Sequence, residues 1–296
     1  MNRSLFENVE NKRAIIDRRT TADALAALPV DRDRTVEAAK LLRSTLEDGR
    51  SEVARRLAEE PDRGRAAAHA TAFLHDQLVR LTYDLFAHAI TGKQGLEPMA
   101  VVGLGGTGRG EMAPFSDVDL MFLTKAKPSA RQEKLVESVL KILWDLKLKV
   151  GHSIRSTGEL LALAKSDMTV RTALLEARLI WGDQAVFEDA MRRFRSKVVA
   201  GTAAEFVAAK LAERDERHKR MGDSRYVVEP NVKDGKGGLR DLHTLFWIGK
   251  YVYQVRSLPE LVEKGLLSKD ELRRFQRAGR FLWAVRCHLH LIAGRA

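Results

Sequence analysis

The sequence lacks most features of secreted and membrane-bound proteins. Its 296 residues include one cysteine, Cys287, so no disulfide can form within the chain. No hydrophobic run approaches the roughly 18 residues that a membrane-spanning helix needs. Charged residues are spread through the first 20 positions, which is not typical of a secretory signal. These absences predict a cytoplasmic protein that does not enter the membrane.

Aromatic residues are also few, at 6% of the chain, whereas hydrophobic residues make up 45% and charged residues 31%. This composition is typical of a folded globular protein, and the length suffices for about two domains. The formal net charge is +11 and the pI is near 9.8. The excess of positive charge predicts an anionic partner, which leaves nucleic acid, a nucleotide and an acidic protein as alternatives.

Most of the chain shows the three- and four-residue hydrophobic spacing of amphipathic helices. Helices are predicted at 33–60, 66–91, 131–147, 157–165, 168–180, 183–199 and 202–221, and again from 241 and near 269. The middle differs, because short apolar runs at 99–102, 118–123 and 150–155 read as strands. We therefore predict a helix-rich α+β fold, with a small α/β core at 96–160 between helical regions at 1–95 and 161–296.

A glycine-rich turn joins the first two predicted strands. Gly103, Gly105 and Gly108 have the spacing of a dinucleotide-binding fingerprint. That fingerprint needs a full helix and a second strand before its acidic residue, about 20 positions on. Here eight residues separate Gly108 from Asp117, and Pro114 interrupts them. The spacing therefore excludes a dinucleotide-binding unit of that kind.

Two aspartates stand where the second strand begins. Asp117 and Asp119 are two residues apart, so in a strand they project from one face while Val118 and Leu120 face the core. Two neighbouring carboxylates favour a cation, and Mg²⁺ commonly binds one or two carboxylates together with substrate phosphates. Glycines just upstream allow backbone amides to approach a phosphate. The pattern predicts a site for a metal-bound nucleoside triphosphate; the alternative is that Ser116 and Asp117 cap a turn.

These motifs resemble a known family. Gly105, Gly106 and Thr107, followed by Asp117 and Asp119, are similar to the signature of the polymerase-β-like nucleotidyltransferase superfamily. The fuller string GGTGRGEMAPFSDVDL, from 105 to 120, resembles the bacterial PII uridylyltransferase/uridylyl-removing enzymes. So do the strings GHSIR at 151–155 and EPNVKDGKGGLRD at 229–241. The resemblance covers the chain from about residue 30 to its end.

The resemblance implies transfer of UMP from UTP to a tyrosine hydroxyl of the PII nitrogen-regulatory protein, with release of pyrophosphate. Asp117 and Asp119 would hold Mg²⁺ on the triphosphate and help to activate the tyrosine oxygen. The fold implied is a small polymerase-β-like nucleotidyltransferase domain flanked by helices. The family also carries a His-Asp hydrolase domain and two ACT domains, which we expect to be absent from this sequence.

The nucleotide would contact further residues of the first motif. Gly105, Gly106 and Thr107 would hold the β and γ phosphates, and Ser116 is assigned to the same nucleotide-binding group. Arg109 would add a bidentate phosphate contact. An equally favoured alternative for Arg109 is an ion pair with Glu111 or another acid.

The second glycine-rich segment, 229–241, is predicted to be a loop that ends where a helix begins. Lys233 and Arg240 would bind the nucleotide as a lid or wall of the active site, as the resemblance implies. The alternative is an ordinary turn with solvated lysines. Asp241 is expected to be the N-cap of the following helix or a partner of Arg240.

A third carboxylate, which the superfamily usually supplies from a later strand, is missing from 150–155. The nearest candidates, Asp167 and Glu176, lie in helical sequence and are expected to be a cap or a surface charge. The adjacent His75 and Asp76 are expected to form a surface pair. Cys287 is expected to be inert in an apolar environment.

Three other functions remain open from the sequence. The first is nucleotidyl transfer with another nucleotide or protein acceptor, because no residue pattern specifies the base. The second is a binding module for nucleotide or PII that has lost catalysis, which the missing carboxylate would favour. The third is RNA end-processing, which is disfavoured because no basic and aromatic RNA platform is present.

Overall fold

The fold is a four-stranded sheet surrounded by helices, and the computed structural model describes residues 3–29, 34–91, 95, 97–224 and 226–296 of it. The strands are β1 (Met99–Gly103), β2 (Val118–Thr124), β3 (Val150–Ser156) and β4 (Arg178–Gly182). The helices before the sheet are α1 (Lys12–Ile15), α2 (Arg18–Ala26), α3 (Arg34–Glu59) and α4 (Gly64–Thr91), preceded by a 3-10 turn at Arg3–Phe6. This arrangement confirms the helix-rich α+β class.

The remaining helices lie between and after the strands. They are α5 (Gly105–Arg109), α6 (Ala130–Asp145), α7 (Thr157–Ser166), α8 (Met168–Leu175), α9 (Gln184–Phe194), α10 (Ala203–Arg220), α11 (Leu239–Tyr253), α12 (Leu258–Glu263) and α13 (Lys269–Ala293). A π-helical turn, Arg195–Val199, extends α9. No helix within the described residues is long and apolar enough to cross a membrane.

The sheet is mixed, with the strand order β3-β2-β1-β4. β1 pairs antiparallel with both β2 and β4, and the crossover through α6 makes β3 parallel to β2. In this register Asp119 of β2 stands opposite Gly151 of β3. The aspartate motif therefore lies where β2 begins, next to β3 and beside α5.

Side chains from both faces of the sheet are buried. Val101, Leu120 and Phe122 pack with α3, α4 and α6 in one core. The alternate residues, such as Val102 and Met121, pack with α7 and α9 in a second core. Alternate side chains of each strand thus pack against two different layers of helices, which explains why β1 and β2 are apolar almost throughout.

Most of the predicted helices and strands are confirmed, and two predicted segments differ from the structure. The strands at 99–102, 118–123 and 150–155 and the helices at 66–91, 131–147 and 157–165 are present within a few residues; residue 33, where a helix was predicted to begin, lies outside the described residues. The helix predicted to run to 180 instead ends at Leu175, because Arg178–Gly182 pairs with β1. The glycine-rich turn contains the short helix α5. Since β4 joins the sheet, the sheet extends beyond residue 160, and the domain division stays a prediction.

The adjacent His75 and Asp76 were wrongly expected at the surface. Both side chains are buried in α4, each about 1% exposed. Asp76 accepts two hydrogen bonds from Arg178, a residue 102 positions later, so its charge is compensated by a strand that was not predicted. Burial, together with the charge of Arg50, lowers the pKa of His75 to about 3. His75 is therefore a neutral residue of the core.

Candidate active site

The two aspartates lie at the beginning of β2 and share one face. Asp117 and Asp119 are exposed, whereas Val118 and Leu120 are each about 1% exposed. Loss of solvation raises the pKa of Asp119, and the negative charge of Asp117 raises it further. The neighbouring carboxylates therefore repel each other, which favours a cation between them.

Helix α5 begins against Asp119. The backbone N–H of Leu104 donates to the Asp119 carbonyl at 3.0 Å, and the N–H of Asp119 donates to the Thr107 hydroxyl at 3.0 Å. Gly105 has a φ of +51°, and a Cβ at this position would lie 3.3 Å from Oδ2 of Asp119. The glycine therefore allows the chain to turn directly beside the carboxylate.

The first residues of α5 have two different roles in the site. Thr107 is about 1% exposed, and its hydroxyl is already bonded to the Asp119 N–H, so its side chain fixes the backbone of the site. Gly105 and Gly106 are half-buried at the start of the helix. Because the first N–H groups of a helix have no acceptor within it, these amides are the groups of α5 that can donate to a phosphate.

The position opposite Asp119 on β3 excludes a third carboxylate there. It is Gly151, and a Cβ would lie 2.7 Å from Oδ1 of Asp119. Asp167 is the N-cap of α8, as expected, since its carboxylate accepts from the N–H groups of Thr169 and Val170. No group of three or more metal-binding side chains occurs within the described residues. The aspartate pair is thus the acidic centre of the site.

Arg109 forms ion pairs with acidic residues, which was the second of the two alternatives predicted for it. Its guanidinium pairs with Glu176, and its Nε lies 3.6 Å from Oε2 of Glu111. Glu176 is the C-cap of α8, as one of its two expectations had it, but its side chain is 2% exposed, so it is not a surface charge. Arg109 remains close enough to Asp119 for its charge to lower the pKa of that carboxyl. Whether Arg109 also contacts a phosphate stays a prediction.

Glu111 is the centre of a buried charged cluster behind α5. Burial alone would raise its pKa, but His69, 3.8 Å away, a hydrogen bond from Arg65 and the charge of Arg109 hold it well below its ordinary value. His243 of α11 lies 4.0 Å away, and burial lowers the pKa of this histidine. The cluster links α4 and α5 through ionic contacts, and α11 brings the neutral His243 against it.

The second glycine-rich loop brings Lys233 to the aspartates. The positive charge of Lys233 lowers the pKa of Asp119, and Asp117 in turn raises the pKa of Lys233. The net pKa of Lys233 is nevertheless lowered, first by loss of solvation and then by Arg286 of α13. The structure thus joins two segments that are more than 110 positions apart in the sequence. Arg286 was not predicted; a charged residue within the apolar stretch before Cys287 was the available signal.

Arg240 and Asp241 do not pair with each other. Arg240 donates to Asp234 at 3.2 Å and lies over the ring of Trp247. Helix α11 begins at Leu239 with Gly238 as its N-cap, so Asp241 is within the first turn and both expectations for it are wrong. Its carboxylate instead accepts hydrogen bonds from the N–H of Gly237 and from two side chains of α10, Arg217 and His218. This contact fixes the end of the loop.

Ser116 and Cys287 complete the comparison with the sequence. Ser116 is half-buried directly before Asp117, and its N–H donates to the Ala113 carbonyl at 2.9 Å, within a turn. Its assignment to the nucleotide stays a prediction. Cys287 is fully buried, and burial raises its pKa to about 12; that it is inert stays a prediction.

Known proteins share this sequence along nearly its whole length. A family model described as GlnD PII-uridylyltransferase matches residues 205–296. The bifunctional uridylyltransferase/uridylyl-removing enzyme of Novosphingobium aromaticivorans is 54% identical over 99% of this chain and 33% of its own length. These matches confirm the resemblance seen in the sequence: this chain is similar to a portion of the enzymes of that family. The enzymes of the same description from Erythrobacter litoralis and Rhodospirillum rubrum are 50% and 49% identical over 97% of the chain. The chain spans about a third of the length of these relatives.

Proposed function

We propose that this site transfers UMP from UTP to a tyrosine of a PII regulatory protein and releases pyrophosphate, in the cytoplasm. The observation that carries the proposal is the convergence of three groups: the paired carboxylates of Asp117 and Asp119, the first amides of α5, and Lys233. Carboxylates beside phosphate-binding donors are the arrangement that a metal-bound triphosphate requires. The names of the relatives supply the nucleotide and the class of acceptor.

The donor set fits Mg²⁺. Asp117 and Asp119 provide two exposed carboxylates, and the pKa of Asp119 is raised by loss of solvation and by the charge of Asp117. Magnesium commonly binds to one or two carboxylates and takes its other ligands from substrate phosphates and water. A bound ion would neutralise the negative charge that develops on the triphosphate during displacement.

The residues of the chain would position and activate the reactants. The amides of Gly105 and Gly106 would donate to the β and γ phosphates, and Lys233 would offset their charge from the opposite side. The tyrosine oxygen forms a bond to the α-phosphorus while the bond from that phosphorus to the bridging oxygen breaks, and pyrophosphate leaves. Asp117 and Asp119 would help to activate the tyrosine oxygen, and one of these carboxylates would accept the phenolic proton.

The test is incubation of the chain with MgUTP and a PII protein, followed by intact-mass measurement of the PII. We expect a UMP adduct on a tyrosine, and we expect Asp119→Asn to give none. ATP, CTP and GTP in parallel reactions report on the base, and a preference for any of them would contradict uridylyl transfer. Binding of nucleotide and PII without an adduct would instead support a module that has lost catalysis.

A further inference from the structure

Arg178, in the strand that was not predicted, makes four hydrogen bonds inside the protein. Its two terminal nitrogens donate to the carboxylate of Asp76 at 2.6 and 3.0 Å. Its Nε donates to the Gly108 carbonyl at 3.1 Å, and one terminal nitrogen also donates to the Thr107 carbonyl at 2.7 Å. Arg178 is 9% exposed and Asp76 1% exposed. One guanidinium therefore joins α4, β4 and α5 away from solvent.

The carbonyls that Arg178 binds are those of the last turn of α5. The Thr107 carbonyl also accepts the N–H of the C-cap Gly110 at 3.2 Å, and a cation at this end is favoured by the helix dipole. Helix α5 has five residues, so little of its stability comes from its own hydrogen bonds. Its position must therefore be set largely by what contacts its end.

Helix α5 also contacts Asp119 directly. Thr107, whose carbonyl binds Arg178, uses its hydroxyl to accept the N–H of Asp119. Gly108 is pressed against the backbone, since a Cβ there would lie 2.1 Å from the Glu176 carbonyl. Any shift of α5 at the Arg178 end is thus transmitted to Asp119 and to the amides of Gly105 and Gly106.

We propose that Arg178, oriented by Asp76, is a positioning residue that holds α5 in register with Asp119 for phosphate binding. The role of α5 in phosphate binding rests on the function proposed above. The planar fork of arginine is essential to this role, because it can reach a carboxylate and two carbonyls at once. A lysine would keep the charge beside Asp76 but could not satisfy the three groups together.

Arg80 offers a matched control. It is also a buried arginine near Asp76, 6% exposed, but it donates to the Ile180 carbonyl at 3.0 Å and lies over Trp181, both in β4 rather than in α5. We expect Arg178→Lys to raise the KM for MgUTP by about 10-fold or more and to lower kcat. Arg80→Lys should leave both near the wild-type values. Hydrogen exchange of residues 104–110 should be faster in Arg178→Lys than in Arg80→Lys.

Chemical rescue separates positioning from general stability. Arg178 lines a cavity of about 760 Å³, so a small cation can reach the space that the side chain leaves. In Arg178→Ala, methylguanidinium should restore several-fold of the lost affinity for MgUTP, and methylammonium at the same concentration should not. The proposal is overturned if Arg178→Lys matches Arg80→Lys in both exchange and KM, or if the two cations rescue equally. Hydrogen exchange needs no nucleotide, so it tests the hold on α5 even if the wild-type chain transfers no UMP.

Discussion

The two glycine-rich segments of the site are held in place by different means. In the segment around α5 the glycines are required by close packing, as Gly108 against Glu176 and Gly105 against Asp119 show. In the loop at 229–238, Gly235 and Gly238 are packed against carbonyls of the loop itself, whereas Gly237 has a φ of +83° and open space around it. That loop is fixed by hydrogen bonds, including those of Asp241 to α10. The segment around α5 is thus held by packing against other elements, whereas the loop is held by contacts within itself and by hydrogen bonds to α10.

The largest effect should come from the aspartates beside α5. Asp117→Asn and Asp119→Asn replace a carboxylate with an amide, a much poorer ligand for a hard cation. We expect each to lower the rate of UMP transfer more than about 100-fold, with the circular dichroism spectrum unchanged. Full activity in either variant would contradict the assignment of the metal.

A pair of glycine substitutions compares the two segments directly. Gly108→Ala places a methyl group against the Glu176 carbonyl, and we expect it to lower the free energy of unfolding by about 3 kcal/mol or more. Gly237→Ala meets no neighbour, so it should cost only the about 1 kcal/mol of a left-handed backbone. Urea unfolding of both variants measures this. Equal losses would break the distinction between packed and open glycines.

A pair of lysine substitutions tests the loop. Lys233→Ala should raise the KM for MgUTP about 10-fold, because a charge beside the aspartates is lost. Lys236→Ala is the control, since Lys236 pairs with Asp223 at 2.9 Å. Steady-state kinetics with varied MgUTP separates the two. If both variants change KM to the same extent, the loop acts through its overall charge and not through the position of Lys233.

The smallest effect should be a difference in pH dependence between two aspartates. The pKa of Asp119 is raised above its ordinary 3.8, so the folded state binds its proton more tightly than the unfolded state, and the charged form is destabilising at neutral pH. Without divalent ions, Asp119→Asn should therefore gain less than about 1 kcal/mol at pH 7, and the gain should fade as the pH falls toward 3.8. Asp223 has its pKa lowered by a hydrogen bond from Lys236, so Asp223→Asn should lose stability at pH 7 instead. Urea unfolding at several pH values measures both; the same sign for the two would refute this contrast.

The sequence predicted the structural features that depend only on residues close together in the chain. The alternation around Asp117 and Asp119 follows from strand periodicity, and the structure places their neighbours Val118 and Leu120 in the core. The strand β4 could not be predicted in the same way. It is five residues long, and its apolar residues follow directly on those of α8. It becomes a strand because it pairs with β1, some 80 positions earlier.

The buried charges escaped prediction for the same reason. Asp76 reads as a surface residue of a helix until Arg178 supplies its partner from a distant strand. Glu176 and Asp241 likewise acquire their roles from Arg109, Arg217 and other residues that are remote in sequence. An ion pair across the fold leaves no periodic pattern, so sequence reasoning assigned each of these acids to solvent or to a cap.

The glycine opposite Asp119 has a consequence for redesign of this catalytic centre. Because the space where a side chain of residue 151 would begin is filled by the carboxylate of Asp119, Gly151→Asp would push that carboxylate aside instead of adding a ligand. An engineer who wished to strengthen metal affinity would therefore have to graft the extra acid from another strand or helix. The missing side chain at Gly151 is what leaves room for the carboxylate of Asp119.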